Sequence, residues 1–457
     1  MPSQKLRNQI AQLEAQASQL LIQLADVRAQ QADLQKELDA VCYPVLSLPP
    51  EIASHILLDA LVLTNPFPMP AVARNRYYPL VLAAVCGTWR QIVLSRPEFW
   101  NRVTFYSSSA EILSLFYRWI DLTGNLPLDI CLRLLGRTSA VLADELFSVA
   151  YPCKARWQVL QVCNDHSIRA LLLWSPGSAP CLESFSAHGD IVWMSTHVGA
   201  FEAPALRELS LSTCGTPRQM NNPTSLQNLT TVTILRVETS SEYIFEMLAL
   251  ASNVRVADVE PWSVIPPPGP TTYIVLPALH TLTCRGPAGH VLARLTLPSL
   301  RALNLKLAYM PGMAGVLPSL LERSGPGCSI DKFSCHMSFA CLKQELLMYL
   351  DALPDIAHLT LGFTPWPAWL FPTLLEEAPD SRRLTKLDAL TLNGIPRDTD
   401  FAGLVAFVRW RRRAQQPLRR IDVGLLGPAT VDPEIEELYG DGLEVVLGQV
   451  SSSAMRV

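Results

Sequence analysis

The sequence predicts a mixed α and β protein in three successive parts: an N-terminal coiled-coil helix (1–42), a small helical module (43–105) and an irregular array of α/β repeats (106–457). Three observations predict this class. Apolar residues return every seven positions near the N-terminus, a proline-led helical stretch follows, and a short apolar motif then returns every 21 to 31 residues. The 73 leucines among 457 residues provide ample apolar surface to bury, which excludes a mainly disordered chain.

The N-terminal segment carries a regular heptad pattern. One series of core positions comprises Leu6, Leu13, Leu20, Val27, Leu34 and Val41, and the other comprises Ile10, Ala17, Leu24, Gln31 and Leu38. Together they fill more than five heptads, which is typical of a left-handed coiled coil. We expect self-association through Leu6, Leu13, Leu20, Leu24, Val27, Leu34 and Leu38. The alternative is a lone amphipathic helix that folds back on the next domain. Gln31 lowers the stability of this seam and is of the type that fixes register or strand number.

Residues 43–105 carry the signals of a compact helical unit. The run Leu48-Pro49-Pro50-Glu51-Ile52 predicts a helix start, since proline suits the first turn and an acid suits the N-terminal dipole. A second apolar helical stretch runs from 80 to 93, and Pro97 ends it before Phe99-Trp100. Three prolines between 65 and 70 predict a loop between the two helical stretches.

The order of these landmarks resembles the F-box family. The family pattern is an L-P-x-E-I start, an apolar helix, a V-C-x-x-W-R core and a P-x-x-W ending, and the chain matches every element in order. The stretch 64–78 is longer than the short turn that the family usually has. A coiled coil, an F-box and a leucine-rich remainder in this order also resemble large fungal families of F-box proteins.

This resemblance implies binding of a Skp-type adaptor, which links such a chain to a cullin–RING ubiquitin ligase. The residues that match the motif are Leu48, Pro49, Glu51, Ile52, Ile56, Leu57, Val85, Cys86, Trp89 and Arg90. Leu48, Pro49 and Ile52 are the best candidates for direct contact with the adaptor. Leu57, Val85 and Trp89 suit the core of the module itself at least equally well.

The remaining chain, 106–457, repeats the pattern apolar-x-x-apolar-x-apolar. Clear copies begin at Leu206, Leu229, Leu279, Leu300, Ile356, Leu387 and Leu418, and weaker copies begin at Trp157, Leu182, Val254 and Ile330. At a period of 20 to 29 residues this motif is the leucine-rich-repeat signature, in which stacked neighbours bury inward leucines. The β-branched residues and preceding prolines favour strands over amphipathic helices, which also fit the spacing. Because the later intervals are longer, we expect an irregular solenoid.

The residues that flank the inward positions face outward in such strands. They are mostly small and uncharged, which predicts a neutral presenting face: Glu208, Ser210, Thr231, Thr233, Thr281, Thr283, Ala302, Asn304, His358, Thr360, Ala389, Thr391, Arg420 and Asp422. An arginine cluster at 409, 411–413, 419 and 420 predicts a solvated helix C-terminus, with a nuclear-import or anion-binding patch as the alternative.

Composition and motifs restrict the function. The chain has no Gly-rich phosphate loop, no H-E-x-x-H and no G-x-S-x-G, so we expect no catalytic residues and no cofactor. Eleven cysteines without a C-x-x-C pair predict reduced thiols, no metal site and a cytoplasmic and/or nuclear location. Apolar runs stay below the roughly 18 residues of a membrane span. The net charge of −4 argues against a nucleic-acid partner.

The expected function is that of a non-catalytic substrate receptor in a cullin–RING (SCF-type) ubiquitin ligase. The F-box-like module would bind the adaptor, and the repeats would bind an unidentified target protein. The alternative is a scaffold protein whose F-box-like module does not engage a ligase. A hydrolase site hidden in the later insertions is a third reading, since a triad assembles in space rather than in sequence.

Overall fold

A computed structural model of the chain divides into two compact units, Met1–Phe99 and Trp100–Val457. The first unit is helical, and the second contains a large parallel sheet with accompanying helices. The structure describes residues 2–40, 48–64, 78–106, 111–134, 145–146, 148–164, 168–169, 177–188, 191–192, 201–212, 226–237, 241–261, 272–286, 288–307, 315–338, 343–364, 366–376, 384–396, 401–426 and 443–450.

Helices account for most of the described residues of the first unit. They are α1 (Pro2–Ala40), α2 (Pro50–Thr64), α3 (Tyr78–Val85) and α4 (Gly87–Ser95), and a short 3-10 turn follows at Pro97–Phe99. Helix α2 contacts both α3 and α4. Its buried residues Ala53, Leu57 and Leu61 are four positions apart, which places them on one face of the helix. The loop predicted at 65–70 lies outside the described residues.

The second unit is organised around one sheet, to which fourteen strands contribute in the described part of the chain. All neighbouring strands are parallel, and their order in the sheet follows their order in the chain. The strands are β1 (Arg102–Tyr106), β2 (Leu128–Leu134), β3 (Trp157–Asn164), β4 (Ser184–His188), β5 (Glu208–Ser212), β6 (Thr231–Val237), β7 (Val256–Pro261), β8 (Thr281–Arg285), β9 (Ala302–Leu307), β10 (Lys332–Ser338), β11 (His358–Thr364), β12 (Ala389–Ile395), β13 (Arg420–Leu426) and β14 (Glu444–Val450).

Parallel neighbours need a crossover that returns the chain to the end of the sheet at which the previous strand began. Seven of the crossovers contain a described helix: α5 (Glu111–Leu122), α6 (Ser241–Leu250), α7 (Ala288–Arg294), α8 (Val316–Ser324), α9 (Lys343–Ala352), α10 (Leu370–Glu376) and α11 (Ala402–Arg413). Three parallel pairs of two-residue strands also join crossover segments: Ile168–Arg169 with Ile191–Val192, Gly177–Ser178 with Phe201–Glu202, and Ile274–Val275 with Leu295–Thr296.

Each apolar motif found in the sequence coincides with a strand of this sheet. In ten of the eleven copies the strand begins two residues after the first apolar residue, and Trp157 begins its own strand. The register aligns the motifs, so Leu303 pairs with Leu282 on one side and with Phe333 on the other. All three side chains are buried, because alternate residues of a strand point to the same face.

A tight turn before the strands explains the recurring prolines. The N–H of Leu206 donates to the carbonyl of Ala203 (3.1 Å), and the N–H of Leu300 donates to the carbonyl of Leu297 (3.2 Å). In both turns a proline follows the accepting residue directly. This is the second turn position, where the fixed φ of proline fits. The proline and the first motif leucine are therefore parts of one turn.

A second set of backbone hydrogen bonds joins successive strand starts. The carbonyl of Arg301 accepts from the N–H groups of Asp331 (3.0 Å) and Lys332 (3.1 Å). The carbonyl of Asp331 in turn accepts from Ala357 (2.8 Å) and His358 (2.9 Å). The same pair of hydrogen bonds to one carbonyl recurs at the start of every strand from β5 to β13. Each strand is thereby fixed in register with the strand before it.

The mixed α and β class, the long N-terminal helix and the large parallel sheet are confirmed. The boundary expected at residue 105 lies inside β1, and the chain divides into its two compact units after Phe99. Strands β1, β2 and β14 carry no copy of the motif that was recognised in the sequence. They extend the sheet beyond the repeats at both ends.

The arginine cluster differs from the solvated helix end that the sequence predicts. Arg409 and Arg413 of α11 are exposed, but Arg411 is buried. The two terminal nitrogens of Arg411 donate to the carbonyls of Leu384 (2.7 Å) and Leu387 (2.8 Å). Burial lowers the pKa of its guanidinium to about 10. The prediction is therefore wrong for Arg411, because its side chain holds the turn before β12 instead of facing water.

Candidate protein-binding surfaces

Helix α2 has a buried inward face and an outward face on which two large aliphatic side chains are exposed. It begins at Pro50, and the N–H of Ala53 donates to the carbonyl of Pro49 (3.0 Å), which closes its first turn. On the outward side Ile52 is 48% exposed and Ile56 is 47% exposed, whereas Leu57 is 4% exposed. Two large aliphatic side chains one helical turn apart are thus presented to solvent.

The V-C-x-x-W part of the motif has a local structural cause. Cys86 is the N-cap of α4, with extended backbone (φ −157°, ψ 172°), and its Sγ accepts from the N–H of Trp89 at 3.5 Å. A side chain at the cap accepts from a backbone N–H two or three residues later, which accounts for the cysteine of the motif. Val85, directly before the cap, is exposed. The motif therefore marks the junction between α3 and α4.

The ten residues that match the F-box pattern differ in exposure. Pro49, Glu51, Ile52, Ile56, Val85 and Arg90 are exposed, Leu48, Cys86 and Trp89 are partly buried, and Leu57 is buried. All ten lie in one compact helical unit. Leu57 belongs to the core of that unit, as the second reading of this position expected. The exposed members are available for contact with another protein.

Helix α1 presents its heptad seam to solvent. Every side chain from Lys5 to Glu37 is exposed. Seven large aliphatic seam side chains are between 46% and 66% exposed: Leu6, Ile10, Leu13, Leu20, Leu24, Val27 and Leu34. The side chains of Leu38 and Val41 lie outside the described residues. Within the part of the chain that the structure describes, nothing covers this seam.

The outward face of the sheet carries its side chains in rows across the strands. The middle row is small and polar over several strands, as in Thr283, Asn304, Ser334 and Thr360, which are register neighbours. The amide nitrogen of Asn304 donates to the hydroxyl of Thr283 at 3.1 Å. This row agrees with the bland surface that the flanking residues predict.

The next outward row is charged, which the residues inside the motif copies do not predict. It consists of the residues that directly follow the motif, and Arg285, Lys306 and His336 are register neighbours in it. The guanidinium of Arg285 donates twice to the carboxylate of Asp258, at 2.9 and 2.7 Å. Reading one residue beyond each motif copy would have found this row. The expectation of a neutral face is therefore wrong for the centre of the sheet.

Neighbouring charges and burial act together in this row. The hydrogen bonds that Arg285 donates to Asp258 raise the pKa of Arg285. Burial, followed by the nearby Arg285, lowers the pKa of Lys306. Burial, followed by the charge of Lys306, lowers the pKa of His336. The imidazole of His336 occupies the space above Gly362 that a Cβ there would fill. The row is a fixed, polar feature of the face.

The closest group of metal-ligating residue types in the sequence is Cys335, His336 and Cys341. The sequence places Cys335 next to His336, but they lie on opposite faces of β10, since Cys335 is buried in the inward row. Cys341 lies outside the described residues. Among those residues, no group of three or more His, Cys, Asp or Glu side chains could hold a metal ion. The described helices also include none that is both long and apolar enough to cross a membrane.

Comparison with known proteins adds no family to these observations. No protein-family model and no curated protein sequence matches the chain.

Proposed function

We propose that this chain is a non-catalytic substrate receptor of a cullin–RING ubiquitin ligase in the cytoplasm and/or nucleus. The observation that carries the proposal is the ordered set of F-box landmarks from Leu48 to Trp100. A Skp-type adaptor would bind the helical module of residues 43–105. A target protein would bind the repeats of the second unit.

The exposure of the motif residues supports an adaptor surface. A small helical unit that leaves Ile52, Ile56 and Val85 near half exposed has apolar surface available to a partner. Burying one such side chain in an interface contributes about 1–2 kcal/mol, from roughly 25 cal/mol per Å² of apolar area. Arg90 and Glu51 are also exposed and provide charges of the kind that orient a partner.

We further propose that the second unit is an irregular leucine-rich-repeat solenoid. Three regularities support it: the aligned inward leucines, the turn before motif copies such as those at Leu206 and Leu300, and the pair of hydrogen bonds to one carbonyl at the start of each strand from β5 to β13. Stacked repeats expose a continuous face on which a target can bind. The charged row around Arg285 and Lys306 offers that face a distinct electrostatic feature.

Such a receptor needs no catalytic residue of its own. Binding adaptor and target on one chain raises the effective concentration of the target beside the ubiquitin-conjugating enzyme held elsewhere in the ligase. The chemistry of ubiquitin transfer then belongs to that enzyme. The chain contributes positioning and choice of target.

Co-purification tests the proposal directly. The tagged full-length chain should retain a Skp-type adaptor and a cullin from a cell extract. A triple variant, Leu48→Ala, Pro49→Ala and Ile52→Ala, should reduce adaptor recovery by at least tenfold. The backbone bond from Ala53 to residue 49 does not need the proline ring, so the helix start is preserved.

The control is Val275→Ala, which removes an exposed aliphatic side chain from the second unit and should leave adaptor recovery unchanged. Circular dichroism should give the same helix content for all variants. Undiminished recovery with the triple variant would refute the adaptor surface. If the wild-type chain retains target proteins but neither adaptor nor cullin, the scaffold function replaces the ligase function.

A further inference from the structure

The heptad seam of α1 can be assigned position by position. Numbering the heptad from its two core series places Ile10, Ala17, Leu24, Gln31 and Leu38 at a positions and Leu6, Leu13, Leu20, Val27 and Leu34 at d positions. Leucine occupies four of these five d positions. Helix α1 spans 39 residues, which is about 58 Å at 1.5 Å per residue. Its 39 residues exceed the three to four heptads that a stable coiled coil requires.

The exposed area matches what a dimer buries. Seven aliphatic seam side chains, each about half exposed, offer on the order of 500 Å² per chain. The glutamine stems at the flanking g positions, Gln9, Gln16, Gln23 and Gln30, extend this area toward the roughly 800 Å² per partner of a standard interface. A second α1 helix is the occupant that repeats the same spacing along the whole seam.

We infer that α1 forms a parallel, in-register two-stranded coiled coil with a second copy of the chain. In this arrangement residues of the same number meet, so Gln31 of one copy faces Gln31 of the other. The two amides can then hydrogen-bond to each other inside the seam, since each carries both a donor and an acceptor. A single polar a position of this kind fixes register and strand number.

The antiparallel arrangement is the competing geometry. Full overlap of two antiparallel seams places Gln31 against Leu13 and leaves two amides without a partner inside the seam. It gains two exposed pairs between Glu14 and Arg28. An exposed pair contributes less than an unpartnered buried amide costs, so the parallel arrangement is favoured. In the parallel arrangement the flanking g and e positions pair glutamines with Glu14 and Arg28, which brings no like charges together.

This inference goes beyond the ligase proposal and does not depend on it. Two variants of the full-length chain, Gln31→Glu and Gln31→Lys, provide the test. Wild-type protein should elute with twice the 50.5 kDa mass of the chain in light scattering. Each variant alone should dimerise at least tenfold more weakly, because two like charges meet in one layer. An equimolar mixture should restore the dimer as a heterodimer, detected by co-elution of differently tagged chains.

Gln12, at an outward position of the same helix, provides the matched control: Gln12→Glu and Gln12→Lys should leave the wild-type dimer unchanged. A monomeric wild-type chain would overturn the self-association. A dimer in which mixing the Gln31 variants gives no gain would overturn the parallel register, because in the antiparallel geometry each charge faces leucine. A mass of three chains would overturn the strand number. Adaptor recovery from the monomeric Gln31 variants reports separately on the ligase proposal.

Discussion

Replacing Arg411 with methionine should destabilise the second unit, although Arg411 sits in a run of arginines that looks exposed. Its guanidinium donates to the carbonyls of Leu384 and Leu387. Leu384 has a φ of 55°, a left-handed conformation that costs a leucine about 1–2 kcal/mol. The bond from Arg411 therefore stabilises a strained turn directly before β12.

The magnitude follows from two opposing terms. Two hydrogen bonds to a charged group contribute about 3–6 kcal/mol together. Burial lowers the pKa of Arg411 to about 10, and at about 1.36 kcal/mol per pKa unit this corresponds to a cost of about 3 kcal/mol. Arg411→Met removes both terms, so the net loss of unfolding free energy should be about 1.5 kcal/mol.

Urea denaturation of the full-length chain, followed by tryptophan fluorescence, measures this loss as a shift of the transition midpoint. Arg413→Met changes an exposed arginine of the same helix and should shift the unfolding free energy by less than about 0.5 kcal/mol. Equal midpoints for the Arg411 and Arg413 variants would refute the role assigned to the buried guanidinium.

Two further predictions concern the sheet. The folded pKa of His336 lies below its ordinary value of 6.5, so the folded state binds fewer protons and the unfolding free energy should fall as the pH drops below about 6.5. His336→Gln should reduce the dependence of the unfolding free energy on pH between pH 7.5 and 5. An unchanged pH dependence would contradict this role of His336. Gly327→Ala should destabilise by about 1–3 kcal/mol, because its Cβ would lie 2.8 Å from a backbone carbonyl oxygen. Gly315→Ala, with nothing within 4 Å of the added Cβ, should leave the melting temperature unchanged. Thermal melts of both glycine variants measure the difference.

The repeats could be predicted from the sequence because their signal has two independent parts. In the copy from Leu300 to Leu305, the alternation at Leu303 and Leu305 is the period of a strand, and the preceding Pro298 is the second residue of a turn. Both parts are local, so a single sequence contains them.

The missed features depend on neighbours that are distant in sequence. Arg411 is buried because the turn at Leu384 offers it two carbonyls, and the run of arginines around it carries no sign of that turn. The charged row exists because parallel register brings Arg285, Lys306 and His336 side by side from three different repeats. The neutral face was predicted from the residues inside each motif copy, whereas these three residues directly follow their copies.

The first unit shows a different limit. Ile52, Ile56, Leu57 and Leu61 recur at helical spacing, so periodicity alone groups them on one apolar face of α2. The structure separates them by exposure, 48% against 4%. The F-box resemblance, and not the hydrophobic pattern, is what named Ile52 as a contact residue and allowed Leu57 a place in the core.

The leucine content of the chain therefore serves two physical roles that exposure distinguishes. In the sheet, motif leucines such as Leu303 and Leu305 are fully buried, and their stabilising effect is complete within one chain. In the first unit, Leu13 and Leu20 of α1 and Ile52 of α2 remain near half exposed or more. Apolar surface that a chain leaves in water gains free energy when a partner covers it. Binding to adaptor and to a second copy should then be lost by substitutions in the first 99 residues that barely change the unfolding of the sheet. Substitutions of inward sheet leucines should lower the unfolding free energy of the sheet and leave both kinds of binding nearly unchanged.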